Sequence, residues 1–314
     1  MYAPKARGRR GSAIHQGLVG TRKLVGTPYL ADAELRGEYA RDIAPRTEAA
    51  LGRVLDEVWD AVGAGPPRRA IDLGAGTGAV GRVLSARFGV ALELVAVDRT
   101  PGPGVIRANL GVELPRVEGK FDLVVAAHLL NELFVGRADR VELRAQRVRA
   151  WSEALSAANG LLILIEPALR ETSRELLAVR DQVLKAGLQV VAPCFWRGAC
   201  PALTRERDWC HDAAPVPSSP RVDFSYLVLR REPVPPRPLY RVVSDPLPEK
   251  GRLRLFVCGS DGRQELIRLS RHHSADNEAL DRAVRGDAVS ITNGSSSGDG
   301  LRVSQATAVA RVRR

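Results

Sequence analysis

Four cysteines, Cys194, Cys200, Cys210 and Cys258, are the only ones in the 314 residues. Four is the number that encloses one tetrahedral metal ion or one cubane iron-sulfur cluster. The gaps between them are five, nine and 47 residues. Zinc sites usually contain a close C-x2-4-C pair, and the common ferredoxin spacings differ as well, so spacing alone leaves zinc and iron-sulfur both open. Two readings without metal compete. Free cysteine is among the most buried residue types and can simply fill a core. Disulfides are disfavoured, because the sequence shows no long apolar secretory segment and intracellular chains rarely keep them. Metal is the favoured reading.

A second constellation lies upstream in Arg68-Arg-Ala-Ile-Asp-Leu-Gly-Ala-Gly-Thr-Gly78. Asp72 with Gly74, Gly76 and Gly78 reads as the turn from a buried strand into a helix. Glycine there lets the backbone approach a ligand, and the helix N-terminus offers free amides. Glu93 to Asp98 reads as a second strand, ending in an acid twenty residues beyond Gly78. A carboxylate at that place can accept both hydroxyls of a ribose. A third group, His128, Asn131 and Glu132, follows the strand Phe121 to Ala126, at the strand end where a ligand is expected. These three are the catalytic candidates, and Asn131 and Glu132 equally suit the start of a helix.

The elements that must position these residues alternate. Leu51, Val54, Leu55, Val58, Trp59 and Val62 form one apolar stripe, predicting a helix over 47–62. A further helix is expected over Tyr29 to Arg41, with Pro45 at the break. Beyond the glycine turn come the helix Val141 to Ala157, the strand Gly160 to Ile165 and a helix from Thr172 to Ala186, opened by a Thr172/Glu175 capping box and closed by Gly187. Leu188 to Ala192 and Phe224 to Arg230 read as the last two strands. The βαβα rhythm implies an open α/β sheet, mostly parallel, with ligands at the strand C-termini. After the Pro-rich stretch Pro233 to Pro238, Arg252 to Cys258 and Gln264 to Leu269 flank Asp261-Gly262, a hairpin signal.

Charge adds a partner class. The net charge is +11, which suits a polyanion such as nucleic acid, although an ordinary solvated basic surface carries such charge too. Residues 1–23 hold six basic groups and no acid, which reads as a mitochondrial presequence or as a plain basic arm. Arg252, Arg254, Arg263, Arg268 and Arg271, with His272 and His273, make the downstream hairpin a second RNA-facing candidate. No apolar run reaches the roughly eighteen residues of a membrane span. The expected division is a basic flexible arm over 1–27, N-terminal helices over 28–66, the sheet domain over 67–232 with a cysteine-rich insertion at 193–216, a β-rich module over 239–292, and a disordered basic tail over 293–314.

The Asp-Leu-Gly-Ala-Gly-Thr-Gly turn resembles that of class I S-adenosylmethionine methyltransferases more than a dinucleotide fingerprint. More specific are Ala127 to Leu133, Ile165 to Asp181, the cysteine run ending Trp209-Cys-His211, Phe224 to Arg231, and Arg241 to Gly262. Together these resemble the small-ribosomal-subunit Rsm22 family over about residues 28–290. The resemblance implies a Rossmann-like class I methyltransferase sheet with S-adenosylmethionine at Gly74, Gly76, Gly78 and Asp98. It also implies a [4Fe-4S] cluster, its ligands falling on Cys194, Cys200, Cys210 and Cys258, and binding to the small ribosomal subunit and its rRNA. One departure is visible: the family often places Cys-Pro-His at the first ligand, and this chain reads Cys194-Phe-Trp196. No amino-methylating N-P-P-Y motif follows the fourth strand, and no cysteine is spare as a C5 nucleophile. The expectation is therefore a monomeric, ribosome-associated protein of a bacterial cytoplasm or a mitochondrial matrix, acting as an rRNA methyltransferase. The alternatives are a non-catalytic assembly factor that uses the fold as an RNA platform, and a zinc-bearing small-molecule methyltransferase.

Overall fold

The computed structural model describes residues 12–62, 65–216, 219–298 and 300–312. A short helical turn α1 (Ala13–His15) opens them, followed by the helices α2 (Ala33–Asp42) and α3 (Ala44–Val62). Asp32 caps α2 by accepting the N–H groups of Glu34 and Leu35. Pro45 falls in the first turn of α3, where its missing N–H costs no helical bond.

The first sheet contains β1 (Arg69–Leu73), β2 (Glu93–Asp98), β3 (Val105–Arg107), β4 (Phe121–Ala127), β5 (Ser156–Pro167), β6 (Gln189–Ala192), β7 (Asp212–Val216) and β8 (Ser219–Arg230). Its order is β3-β2-β1-β4-β5-β8-β6, with β7 pairing onto β8. Strands β1 to β5 run parallel, and β8 inserts antiparallel between β5 and β6. Both faces are covered. In β4, Leu123 and Val125 face α3 and α4 (Ala79–Phe88), packing with Leu51, Val54, Leu55 and Leu84. Val124 and Ala126 face the opposite layer, α5 (Arg140–Leu155) and α6 (Arg170–Lys185), packing with Val148, Trp151 and Val179. A parallel sheet buried on both faces explains why β4 reads as one apolar run instead of alternating.

The second sheet contains β9 (Tyr240–Val242), β10 (Leu247–Glu249), β11 (Arg252–Gly259), β12 (Gly262–Leu269), β13 (Ala288–Thr292), β14 (Ser295–Ser297), β15 (Gly300–Val303) and β16 (Ala308–Val312). Its order is β14-β15-β12-β11-β9-β13-β16, with β10 pairing onto β11. The expected hairpin forms, β11 against β12 from Arg252↔Leu269 to Gly259↔Gly262.

Three expectations are corrected. The expected disordered tail over 293–314 is folded through residue 312: β15 pairs with β12, β16 pairs with β13, and Leu301, Val303 and Val309 are buried. The serines of the Ser/Gly run form β14, paired antiparallel with β15, and Gly298 follows at φ 58°; residues 299 and 313–314 lie outside the described residues. The arm expected over 1–27 is ordered from residue 12, where Ile14, Leu18 and Leu24 pack with Tyr29 and Tyr39; residues 1–11 lie outside the described residues. The Thr172/Glu175 capping box does not form, because α6 begins at Arg170. Thr172 Oγ1 donates instead to the carbonyls of Pro167 and Leu169, and Glu175 is paired with Arg140 and Arg144.

Candidate functional site

The glycine turn joins β1 to α4 at the C-terminal edge of the first sheet. Gly74, Gly76 and Gly78 all have positive φ, at 79°, 50° and 78°. A Cβ on Gly74 would stand a tight 3.1 Å from the Leu129 side chain, and the left-handed backbone strains any other residue there. Gly74 and Gly76 line a groove together with Asp98, Thr100, His128 and Glu132. Gly78 serves instead as the left-handed N-cap of α4. Asp98, at the end of β2, accepts the Gly76 N–H at 2.9 Å and the Thr100 N–H at 2.7 Å, one on each oxygen. Each oxygen keeps a lone pair for a ligand hydroxyl. Asp72 lies behind the turn, almost fully buried, its Oδ1 without a partner among the described residues. Burial, and then the neighbouring Asp98 charge, push its carboxyl up to about 8.

The three catalytic candidates come together after β4. His128 has φ 57°, an uncommon value for a non-glycine residue. Burial holds its imidazole down to about 4, so it is neutral at physiological pH, and its buried Nδ1 has no partner among the described residues. The turn Leu130–Glu132 is held from two sides. Glu166, buried at the end of β5, accepts the N–H groups of Leu130 (2.8 Å) and Asn131 (3.3 Å). Arg144 of α5 donates to the carbonyls of Asn131 and Leu133, both at 2.9 Å, and is itself fixed by Glu175. Burial raises the Glu166 carboxyl to about 8 despite those hydrogen bonds. Glu132 accepts the Tyr29 hydroxyl at 2.7 Å and lies 3.4 Å from Arg99. Burial lifts its carboxyl to about 7, with Tyr29 and Arg99 opposing the shift. Tyr29, Arg99, Arg144 and Glu166 were not singled out in the sequence. An acid closing the apolar run Leu161 to Ile165 was the available signal for Glu166.

A second cavity of about 290 Å³ adjoins the groove. Tyr29, Tyr39, His128 and Glu132 line both, and Asn131 faces this one. The candidate residues thus form a wall between two chambers.

The four cysteines meet at the seam between the two sheets. Cys194, Cys200 and Cys210 lie between β6 and β7, Cys258 comes from β11, and all four line one cavity with Trp209, Arg241 and Arg263. Two helix α6 arginines brace the connecting chain. Arg174 donates to the carbonyls of Ala202, Arg205 and Asp208, and the buried Arg180 to those of Trp196 and Gly198. Asp181 accepts the Cys200 N–H at 2.8 Å. Burial, then mutual repulsion among the sulfurs, pushes Cys200 up to about 12 and Cys210 up to about 11, and raises Cys258 further. Among the described residues no three of the His, Cys, Asp and Glu side chains stand close enough to hold a single metal ion. His211 stacks on Trp209 with ring centroids 4.2 Å apart.

Arg241 of β9 ties the sheets together. It forms a bidentate ion pair with Glu57 of α3, and donates to the carbonyls of Pro193 at 3.0 Å and Gly286 at 2.5 Å. The β11/β12 hairpin carries less free charge than its sequence promised. Arg252 and Arg254 pair with Glu249, Arg254 also with Glu265, Arg263 with Asp208, and Arg268 and His273 with Asp281. As an RNA-facing surface this hairpin is therefore largely neutralised.

The strand order β3-β2-β1-β4-β5-β8-β6, with β8 antiparallel and a glycine turn after β1, is that of the Rossmann-like class I methyltransferase fold. Residues 36–290 match the family described as "Mitochondrial small ribosomal subunit Rsm22", and the chain belongs to that family. No curated protein matches the chain. Similar solved structures include the plantazolicin methyltransferase BpumL in complex with SAH, at 10% identity and TM-score 0.44, covering 70% of this chain and 98% of that one. A TehB-like SAM-dependent methyltransferase from Corynebacterium glutamicum is 18% identical with TM-score 0.38, covering 64% and 100%. TrmN from Thermus thermophilus is 18% identical with TM-score 0.37, covering 59% and 52%.

Proposed function

We propose that this chain is an S-adenosylmethionine-dependent methyltransferase-like protein that binds the small ribosomal subunit and its rRNA, with an iron-sulfur cluster joining its two sheets. The observation that carries the reading is the wall shared by two chambers, the glycine-lined groove on one side and the larger cavity on the other. A platform that only bound RNA would have no need of a polar wall between a donor site and an acceptor site. S-adenosylmethionine, when bound, supplies an electrophilic methyl group. Gly74 and Gly76 would admit its methionine end, and Asp98 its ribose hydroxyls. Glu132, with a carboxyl near 7, would take the proton that an acceptor nitrogen or oxygen must lose. Asn131 would orient the acceptor.

The donor set fits a cluster. Four thiols from two sheets surround one cavity, and the buried Arg180 and Arg241 supply positive charge beside them. Cys194, Cys200, Cys210 and Cys258 would hold the cluster, whose contribution at this seam would be structural. The small-subunit partner follows from family membership and the net charge of +11. A mitochondrial matrix setting accords with the family description.

The test is calorimetric binding of S-adenosylmethionine to anaerobically purified protein, followed by transfer of labelled methyl to purified small subunits. Binding with transfer supports the reading. Binding to subunits without cofactor binding would leave the platform in its place, and a colourless protein holding one zinc would remove the cluster.

A further inference from the structure

Pro28 precedes a single tight turn, Tyr29–Ala31, which runs directly into the Asp32 cap of α2. That turn carries Tyr29 to the wall between the two chambers, where its side chain lines both. The residue is 8% exposed, and its ring stacks on Tyr39 with centroids 6.0 Å apart. Its hydroxyl donates to Glu132 Oε1 at 2.7 Å. Burial, then the Glu132 charge, hold that hydroxyl far above its ordinary range, so it stays a donor at every working pH.

The other carboxylate oxygen, Oε2, lies 3.4 Å from Arg99, the residue after Asp98. Arg99 also donates to the carbonyls of Gly26, at 3.0 Å, and of Thr27. Tyr29, Glu132, Arg99 and the segment 26–29 thus close a ring of polar contacts. Gly26 has φ 81°, and a Cβ there would meet the Val135 side chain at 3.1 Å and the Glu132 carbonyl at 3.4 Å, so the close approach of this segment favours glycine. A base held at both oxygens meets its acceptor without first giving up rotamer freedom. Burial raises the Glu132 carboxyl to about 7, and the Tyr29 hydrogen bond, the Arg99 charge and the Gly26 N–H oppose it, while Asp98 adds a repulsion from the end of β2. Tyr39 of α2 and the neutral His128 share the wall. His15, Arg46 and the ion-paired Arg221 and Asp223 line the larger cavity.

We propose that Tyr29 and Arg99 are positioning residues for Glu132, Tyr29 by fixing one carboxylate oxygen in the wall and Arg99 by placing positive charge beside the other. The inference rests on the reading of Glu132 as the base and adds what holds it. It also gives the N-terminal segment a task at the site, since residues 26–29 supply the hydroxyl and the two carbonyls that close the ring. Both partners favour the charged carboxylate, so the loss of either should raise the pH at which Glu132 gives up its proton. A merely structural role would instead lower the rate equally at every pH.

The experiment measures single-turnover methyl transfer from S-adenosylmethionine to purified small subunits, on both sides of about pH 7, for the full-length wild type, Tyr29→Phe, Arg99→Gln and Arg99→Lys. Tyr29→Phe keeps the ring and its stacking, and the Arg99 side chain is 40% exposed, so these variants should fold. Tyr29→Phe and Arg99→Gln should each move the midpoint of the rate profile upward by about half a pH unit or more, a fall of about threefold on the acid limb that fades at high pH. Arg99→Lys keeps the charge and should return the midpoint most of the way to the wild-type value. Carbon NMR of protein labelled at the glutamate side-chain carboxyls follows Glu132 directly, its signal assigned by loss in Glu132→Gln, and should give the same order of midpoints. A Glu132 signal whose midpoint is unmoved in both Tyr29→Phe and Arg99→Gln overturns the inference whatever the rates do. An Arg99→Lys midpoint equal to that of Arg99→Gln overturns the part assigned to the Arg99 charge. If the NMR midpoints shift as expected but the wild type transfers no methyl at any pH, the holding of Glu132 stands, and its use as a base falls with the methyltransferase reading.

Discussion

Replacing Arg241 by Met tests whether the two sheets are fastened by a buried charge or merely by proximity. The guanidinium is 5% exposed, and it joins Glu57 on α3 to the carbonyls of Pro193 and Gly286. Methionine keeps most of the volume and removes every one of those bonds. Breaking a buried ion pair from one side typically costs about 3–5 kcal/mol, and two orphaned carbonyls add about 1 kcal/mol each. Glu57 is not wholly abandoned, since Arg53 lies 3.5 Å away and the Tyr226 hydroxyl donates at 2.8 Å. The expected loss is therefore about 3–5 kcal/mol. Its pH dependence has a definite sign. Burial would lift the Glu57 carboxyl, but the Arg241 charge and hydrogen bonds, helped by Arg53, hold it below its ordinary value. In the wild type its contribution is therefore present above the unfolded pKa and lost as pH falls through the depressed folded one. In the variant the carboxyl should rise and protonate more readily, so the gap between the two proteins should narrow toward pH 4. Urea unfolding followed by tryptophan emission, in a cycle with Glu57→Gln, measures the coupling. A coupling below about 1 kcal/mol, or a gap that does not change with pH, would refute the argument, placing the pair in the range of exposed ion pairs.

Asp98→Asn should weaken S-adenosylhomocysteine binding by about tenfold to a hundredfold, because an amide cannot accept both the Gly76 and Thr100 N–H groups; calorimetry reads this directly. Glu132→Gln should leave cofactor affinity within a few fold but slow single-turnover methyl transfer by about 10²–10⁴-fold. Because a base works deprotonated, the wild-type rate should climb with pH through about 7 and the variant's should not. Cys258→Ser should lower iron and sulfide content and speed proteolysis between the two sheets, read by mass spectrometry of the fragments. Leu301→Asp, at a 6% exposed position of β15, should destabilise the second sheet by several kcal/mol through a buried uncompensated charge; an unchanged melting profile would mean that β15 contributes nothing to that core.

The first sheet was legible because each of its signals is local. A glycine turn demands positive φ, a buried parallel strand is uniformly apolar, and the stripe from Leu51 to Val62 has one period. What escaped were features that need the chain's partners. Thr172 and Glu175 have the spacing of a capping box, yet Arg140 and Arg144, some thirty residues upstream, compete for the glutamate and win it. The hairpin arginines looked basic because Glu249, Asp208 and Asp281, which neutralise them, lie outside the two strands. The C-terminal strands were hidden by Asn293 to Gly300, whose composition suits disorder and equally suits a tight turn. The alternation of Leu301 and Val303 around Arg302 was a strand signal, outweighed by the run before it.

Neutralisation of the hairpin changes where the excess positive charge can act. An arginine already paired with an acid releases little counterion when it meets a phosphate, and so adds little to salt-dependent RNA affinity. Arg22 and Arg46 have no such pairing among the described residues; Arg46 lines the chamber that shares its wall with the glycine-lined groove, and Arg22 lies 3.4 Å from Asn131, which lines it too. Their neighbour Lys23 is exposed on the same segment. Some of the charge that is not spent on ion pairs thus lies beside the chamber that adjoins the glycine-lined groove. Around the thiol cavity the cations are consumed in joining β9, β12 and α6 to the connecting chain. The seam where the four cysteines meet is thus held by ion pairs, Arg241 to Glu57 and Arg263 to Asp208, that leave those cations little to offer a phosphate.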